Sequence, residues 1–105
     1  MSLATHRKKR IEVIVEAPVL SRLLDGLDRL SVTGYTVLPA LAGRGRTGSW
    51  RRDDTVNPAG QMVCVVCITD EQKVAGILES VHALLARQIG VVSVGDVEVI
   101  REDHF

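Results

Sequence analysis

The sequence predicts a single α+β domain whose elements follow the order β-α-β-β-α-β. Three observations support this prediction: strand-like alternation of apolar residues near the start of the chain, two amphipathic helical stretches, and a β-branched run in the middle. A chain of 105 residues is long enough for one core. Its hydrophobic content of 46% argues against general disorder, and an aromatic fraction of 3% makes the core aliphatic.

The first half of the chain predicts a strand, a helix and a second strand. Valine and isoleucine alternate with glutamate over 11–16, which indicates a strand with one wetter face. Pro18 suits the first turn of a helix, and leucines then recur at helical spacing over 20–30. Gly26 interrupts this stripe, and a close approach to another backbone would explain it. The segment YTVLPAL, 35–41, predicts the second strand.

The second half repeats the order of strand, helix and strand. The segment QMVCVVCIT, 61–69, is the clearest strand in the chain. Thr69 and Gln72 have the spacing of a capping box, which predicts that the second helix begins there, and its apolar stripe continues over 74–85. The segment VVSVGDVEVI, 91–100, predicts the last strand, with a bulge or turn at its Gly-Asp pair.

This order is the ferredoxin-like split pattern, in which four antiparallel strands form a sheet and both helices cover one face. The opposite face would still carry many apolar side chains. A monomer would leave that surface in contact with water, so the pattern favours a homo-oligomer that covers the open face.

Charge and cysteine content exclude several classes of protein. Thirteen basic and thirteen acidic residues give a net charge of zero, so no overall field favours nucleic acid or anionic lipid. The basic cluster at 6–10 is expected to belong to a solvated N-terminal tail, 1–9. No signal peptide is apparent, so the expected compartment is the cytoplasm. Cys64 and Cys67 fall three apart in a strand, on opposite faces, and are expected to be unreactive.

The segment AGRGRTGSWRRDDTVNPAG, 42–60, has no apolar periodicity and is much longer than an ordinary connection. It joins the second and third strands and holds four arginines and the only tryptophan of the chain. A connection of this length and composition predicts a functional loop at the tip of a hairpin.

The segments VTGYTVLPALAGRGRTG and DVEVIR, placed in this frame, resemble the PII-like signalling proteins. The resemblance implies one PII-like domain over 1–105, a homotrimer, and a T-loop at 42–60. It also implies that an adenine nucleotide binds between neighbouring subunits. Thr36 would help to hold the adenine, the loop glycines would let the backbone approach the ligand, and Arg101 would reach the phosphates. The implied nucleotide-binding residues are Thr36, Gly43, Arg44, Gly45, Arg46, Gly90 and Arg101.

Two departures from the family pattern limit which nucleotide the resemblance implies. The position after Gly90 is Val91 where nitrogen-sensing members have a lysine-containing loop, and Asp103 replaces a second arginine. The sequence therefore resembles the carbon-regulatory branch, associated with carboxysomes or bicarbonate transporters. This branch implies ADP or AMP in preference to ATP, with bicarbonate as a second candidate ligand.

The same branch implies that the T-loop regulates a membrane transporter, which would recruit the protein to the inner membrane, or a carboxysome-linked protein. Trp50, Arg51 and Arg52 are the candidate partner-binding residues. Tryptophan and arginine are frequent at the centres of protein interfaces. For Trp50, packing back on its own subunit is the alternative.

Two other functions remain as alternatives, and a third, catalysis, is not predicted. The GRGR segment, 43–46, would suit a nucleic-acid-binding ferredoxin-like protein, although neutral charge and the lack of stacking aromatics argue against it. A trimeric metal-tolerance protein would share the architecture but is not favoured, because the sequence shows no ligand cluster. An enzyme is not predicted, since no nucleophile has a nearby base in any local motif.

Overall fold

The computed structural model describes residues 3–45, 48–51 and 61–101. The elements in chain order are β1 (His6–Glu16), α1 (Leu20–Arg29), β2 (Tyr35–Ala40), β3 (Ala42–Gly45), β4 (Gly48–Arg51), β5 (Met62–Thr69), α2 (Glu71–Leu85) and β6 (Gly90–Val99). Four of the strands form one antiparallel sheet in the order β2-β5-β1-β6. The predicted fold with two helices and a mostly antiparallel sheet is confirmed.

Both helices cover the same face of this sheet. Along β1, Ile11, Val13 and Val15 are buried, and the residues between them are only half-buried. The buried side chains of the two helices belong to the same core cluster, to which α1 contributes Leu23 and Leu27 and α2 contributes Ile77 and Val81. The core is aliphatic, as the composition predicts.

The basic N-terminal tail was a wrong prediction for His6–Lys9. These residues form the first part of β1 and pair with the end of β6 from Val99 to Asp96. Lys8 is buried, with only 7% of its side chain exposed, because its ammonium group meets a carboxylate of Asp70. The tail prediction remains only for the residues before β1.

Two local predictions, the capping residue of α2 and an irregularity within β6, were also wrong. Helix α2 has Asp70, not Thr69, as its N-cap residue, and no side-chain capping hydrogen bond forms there. Thr69 instead ends β5 and is buried. The register of β6 against β1 is continuous through Gly95 and Asp96, so this strand has neither a bulge nor a turn at that pair.

The close approach expected at Gly26 is to a side chain rather than to a backbone. A Cβ atom built on Gly26 would lie 2.8 Å from Oγ of Ser80, which belongs to α2. The glycine therefore allows α1 and α2 to pack closely on the sheet.

Candidate functional site

The sheet face opposite the helices, here called the open face, holds one predicted ligand residue. Directly paired residues of antiparallel strands share a face, so Thr36 of β2 lies in a row with Val66, Glu12 and Ser93. Thr36 is exposed in the single chain. A ligand or a second subunit can therefore reach its hydroxyl.

The next row of the open face is apolar. It consists of Leu38, Cys64, Ile14 and Val91, one from each strand of the sheet. The two edge residues of this row are well exposed, Leu38 by 48% and Val91 by 63%. Exposed aliphatic side chains in a continuous row favour an interface that covers this face.

Two of the predicted nucleotide-binding residues, Gly90 and Arg101, lie at opposite ends of the sheet. Gly90 begins β6 and pairs with Val15 at the end of β1, where the loop between β2 and β5 also starts. Arg101 follows the other end of β6, where Val99 pairs with His6. The nine steps along β1 between these ends correspond to about 30 Å, at about 3.3 Å a residue. A single chain therefore does not bring Gly90 and Arg101 together.

The first part of the long loop forms a separate two-stranded hairpin, β3–β4. Its register pairs Gly43 with Trp50, Arg44 with Ser49, and Gly45 with Gly48. The guanidinium Nε of Arg44 donates a hydrogen bond to Oγ of Ser49 at 3.0 Å. The segment predicted as a loop thus begins with two short strands, β3 and β4, which its lack of apolar periodicity did not indicate.

Trp50 packs on its own hairpin, as the alternative interpretation of this residue held. A Cβ atom built on Gly43 would overlap Cζ2 of the Trp50 ring and lie 2.7 Å from Cε2. Trp50 is consequently half-buried, whereas Arg51 beside it is exposed. The indole ring, which sequence reasoning assigned to a partner, gives a structural reason for glycine at position 43.

Gly90 also has a packing role. A Cβ atom at this position would lie 2.7 Å from Cδ2 of Leu85 and 3.0 Å from the carbonyl oxygen of Ile14. The backbone contact cannot be relieved by a side-chain rotation. An alanine here would require the Leu85 side chain to move and β6 to shift slightly against β1.

Two predicted site residues, Arg46 and Arg52, lie outside the described residues, as does Asp103. The rest of the loop, 52–60, is outside them as well. Among the predicted residues that are described, only Gly43, Arg44, Gly45, Trp50 and Arg51 share one element, the β3–β4 hairpin.

Sequence reasoning missed a charged cluster at the N-terminal end of β1. Lys8 and Lys9 form ion pairs with Asp70 and Asp96, each at 2.5 Å. The hydrogen bond that the Lys9 ammonium donates to the Asp96 carboxylate raises the pKa of Lys9 and lowers the pKa of Asp96. A cavity of about 220 Å³ is lined by Lys8, Lys9 and Asp96 together with Arg7 and Glu71. The run of basic residues was the available signal, but their acidic partners lie far away in the sequence.

The two cysteines are free thiols on opposite faces of β5, as predicted. Burial raises the pKa of both thiols, and Glu12 contributes to the rise at Cys64. A raised pKa reduces the thiolate fraction and hence the reactivity. Within 3–45, 48–51 and 61–101, no group of three or more histidine, cysteine or acidic side chains has the arrangement of a metal site.

None of the helices in the described part of the chain is long and apolar enough to cross a membrane.

Comparison with known proteins identifies the relatives of this chain. The family model for nitrogen regulatory protein P-II matches residues 8–104. No curated protein is significantly similar in sequence. The structure of CPII, a nitrogen regulatory PII-like protein from Thiomonas intermedia K12 bound to ADP, AMP and bicarbonate, is 28% identical, with a TM-score of 0.90, and the match covers 99% of this chain and 98% of that chain.

Two further solved structures are similar. CPII from the same organism, bound to ADP and bicarbonate, is 27% identical with a TM-score of 0.87, and 99% of each chain is covered. A PII-like signaling protein from Thermus thermophilus is 24% identical with a TM-score of 0.82, and the match covers 98% of this chain and 99% of that one. The similarity to the Thermus protein supports the fold alone.

Proposed function

This chain belongs to the nitrogen regulatory protein P-II family, and from that premise we propose that it binds ADP or AMP between the subunits of a homotrimer. It is a PII-like regulatory protein, and its similarity to CPII structures that contain ADP, AMP and bicarbonate supports these as its ligands. Bicarbonate is the proposed second ligand. The binding event would regulate inorganic-carbon uptake through the T-loop.

The separation of Gly90 and Arg101 is the observation that carries the intersubunit site. Both residues are expected to reach the nucleotide, yet they lie about 30 Å apart along the sheet. One nucleotide cannot contact both within a chain. Two chains can supply the two ends when the C-terminal end of β6 in one lies beside the start of β6 and the loop base in its neighbour.

The open face supports the oligomer that this site requires. Leu38 and Val91 leave an aliphatic row in contact with water, and Ile14 and Cys64 continue that row across the sheet. Covering these side chains with equivalent surfaces of two other copies would stabilise a closed ring. Light scattering should therefore give the mass of a trimer at micromolar concentration, and a monomer would contradict the proposal.

The expected ligand preference follows from charge. In the sequence, Val91 stands in place of a lysine-containing loop and Asp103 in place of a second arginine of the family pattern, so two cations that could pair a longer phosphate chain are missing. An unpaired phosphate charge in a partly buried cleft costs on the order of 1–3 kcal/mol. ADP or AMP should therefore bind roughly tenfold more tightly than ATP, since about 1.4 kcal/mol corresponds to one decade in affinity.

The proposed partner is a membrane transporter or a carboxysome-linked protein that contacts the T-loop. Arg51 is exposed at the end of β4, and Arg52 follows it in the sequence. Trp50 would add an aromatic contact when its ring leaves Gly43. Recruitment to the inner membrane would then depend on the transporter.

Calorimetry with ADP, AMP and ATP, each with and without bicarbonate, tests the proposed ligands. Arg101→Ala should weaken ADP binding by about 1.5–3 kcal/mol, the usual contribution of a hydrogen bond to a charged group. Arg22→Ala, a change of an exposed arginine on α1, is the matched control and should leave the affinity unchanged. Equal ADP affinity in Arg101→Ala and the parent, with the trimer intact, would remove Arg101 from the site.

A further inference from the structure

The two faces of the β3–β4 hairpin have very different side chains. Because paired residues share a face and neighbours alternate, one face holds three glycines and a single side chain, and the other holds two arginines. The first, here called the glycine face, consists of Gly43, Gly45, Gly48 and Trp50. The second, here called the arginine face, consists of Ala42, Arg44, Ser49 and Arg51.

Among the residues of β3 and β4, Trp50 is therefore the only one whose side chain can cover the backbone on the glycine face. Its ring atoms Cε2 and Cη2 lie 2.7 and 3.1 Å from the Cβ position of Gly43, and Cζ2 lies closer still. By contrast, no described atom comes within 4 Å of the Cβ position of Gly45 or Gly48. The indole ring covers one end of the glycine face, at the base of the loop, and leaves the other end open.

The covered position, Gly43, is one that the proposed function assigns to the ligand. On the arginine face, the side chains of Ala42 and Arg44 flank the backbone at Gly43, and Arg44 is held there by Ser49. On the glycine face no side chain of β3 intervenes, so a planar base or a phosphate could approach the backbone closely. The same surface is now occupied by Trp50.

We propose that Trp50 is an autoinhibitory cover over Gly43, so that adenylate binding at the loop base and the Trp50–Gly43 contact exclude each other. The inference rests on the proposed function and adds a regulatory step to it. The ligand displaces the ring, and the displaced ring becomes available to a protein partner. Trp50 would then report ligand binding to the partner directly.

The setting of the hairpin makes this exchange feasible. A two-stranded sheet on its own is marginally stable in water, and β3–β4 shares no strand pairing with the main sheet. Trp50 is half-buried rather than buried, so only part of its apolar surface returns to water on release. A charged ligand that gains hydrogen bonds at the loop base can therefore compete with the ring.

Calorimetry on Trp50→Ala tests the cover. Removing the ring should tighten ADP binding by about five- to tenfold, because the ligand no longer has to displace it. Ser49→Ala is the matched control: it removes the Arg44–Ser49 hydrogen bond and loosens the same hairpin without uncovering Gly43. Ser49→Ala should not tighten binding.

Fluorescence of the parent protein gives an independent measurement, because Trp50 is the only tryptophan in the chain. Saturating ADP should increase quenching of Trp50 by acrylamide. Gly43→Ala should show high quenching without ADP, since its methyl group occupies the space of the ring.

Each outcome either supports the cover or overturns it. If the parent binds ADP and Trp50→Ala binds it equally or more weakly, or if ADP protects Trp50 from acrylamide, the cover is refuted and the nucleotide site stands. If the parent binds no adenylate, the proposed function fails and the cover fails with it.

Discussion

Replacing Asp70 with serine should destabilise the fold far more than replacing Lys8, its ion-pair partner, with methionine. The pair is asymmetric: 7% of the Lys8 side chain is exposed, against 41% of the Asp70 side chain. Asp70→Ser leaves a buried ammonium group without its carboxylate. Serine is chosen because it is a good N-cap residue, so the start of α2 keeps its preferred residue type while the side chain becomes too short to reach Lys8.

The expected loss of unfolding free energy follows from the exposure of the two side chains. Removing one member of a fully buried ion pair costs about 3–5 kcal/mol, because the other charge stays buried and unpaired. The pair is only half of this case, because 41% of the Asp70 side chain is exposed, and we therefore expect a loss of about 2 kcal/mol for Asp70→Ser. Lys8→Met keeps the apolar stem and leaves Asp70 solvated, so its expected cost is below about 1 kcal/mol.

Urea unfolding followed by circular dichroism, at one fixed protomer concentration, measures both changes. With a slope of about 2 kcal/mol per molar urea, Asp70→Ser should lower the midpoint by about 1 M. The double variant should recover most of this loss, because it no longer contains the orphaned ammonium group. The control is Asp96→Ala, which removes the exposed partner of Lys9 and should leave the midpoint unchanged. Equal losses in Asp70→Ser and Lys8→Met, or no recovery in the double variant, would refute the reasoning.

Two other predictions concern packing and pH. Gly26→Ala should lower the free energy of unfolding by about 1 kcal/mol, because the added methyl group meets Oγ of Ser80. In a Ser80→Ala background the same change should raise it, since alanine favours the helix. An effect of the same sign in both backgrounds would contradict the contact. Burial raises the pKa of the Cys67 thiol in the folded state above its value in the unfolded chain. The contribution of the neutral thiol to stability is therefore complete below the unfolded-state pKa, and it is lost as the pH rises through the folded-state pKa. Unfolding measured from about pH 7 to 10.5 should therefore show a smaller alkaline loss in Cys67→Ala than in the parent, and identical slopes would exclude the thiol as the cause.

The main sheet and the helices could be predicted from the sequence because each follows a single local period. The alternation over 11–16 and the spacing of the leucines over 20–30 indicate which side chains are buried, and these side chains form the core. The first residues of β1 could not be predicted in this way. Lys8 and Lys9 read as solvated charges, since their carboxylate partners Asp70 and Asp96 are 62 and 87 residues away in the sequence.

The β3–β4 hairpin was missed for a related reason. Its residues do alternate, but glycine occupies the positions where a strand normally shows apolar side chains, so a hydrophobic pattern gives no signal. Trp50 is the one large apolar residue on the glycine face, and a single apolar residue cannot show a repeating pattern. The predicted ligand residues were equally hard to assemble, because Gly90 and Arg101 can meet at one ligand only when a second chain supplies one of them.

The glycines of the predicted site show how packing and ligand binding can be separated. A motif glycine is evidence for ligand approach only when nothing else in the fold requires it. Gly43 is required by the ring of Trp50, and Gly90 by Leu85 and the backbone of β1, so their presence does not by itself indicate a nucleotide. Gly45 differs from both: its backbone is not in the left-handed region, and no described atom lies within 4 Å of its Cβ position. Within the described residues, neither backbone strain nor packing accounts for glycine at this end of the hairpin, and the proposed close approach of a ligand would account for it.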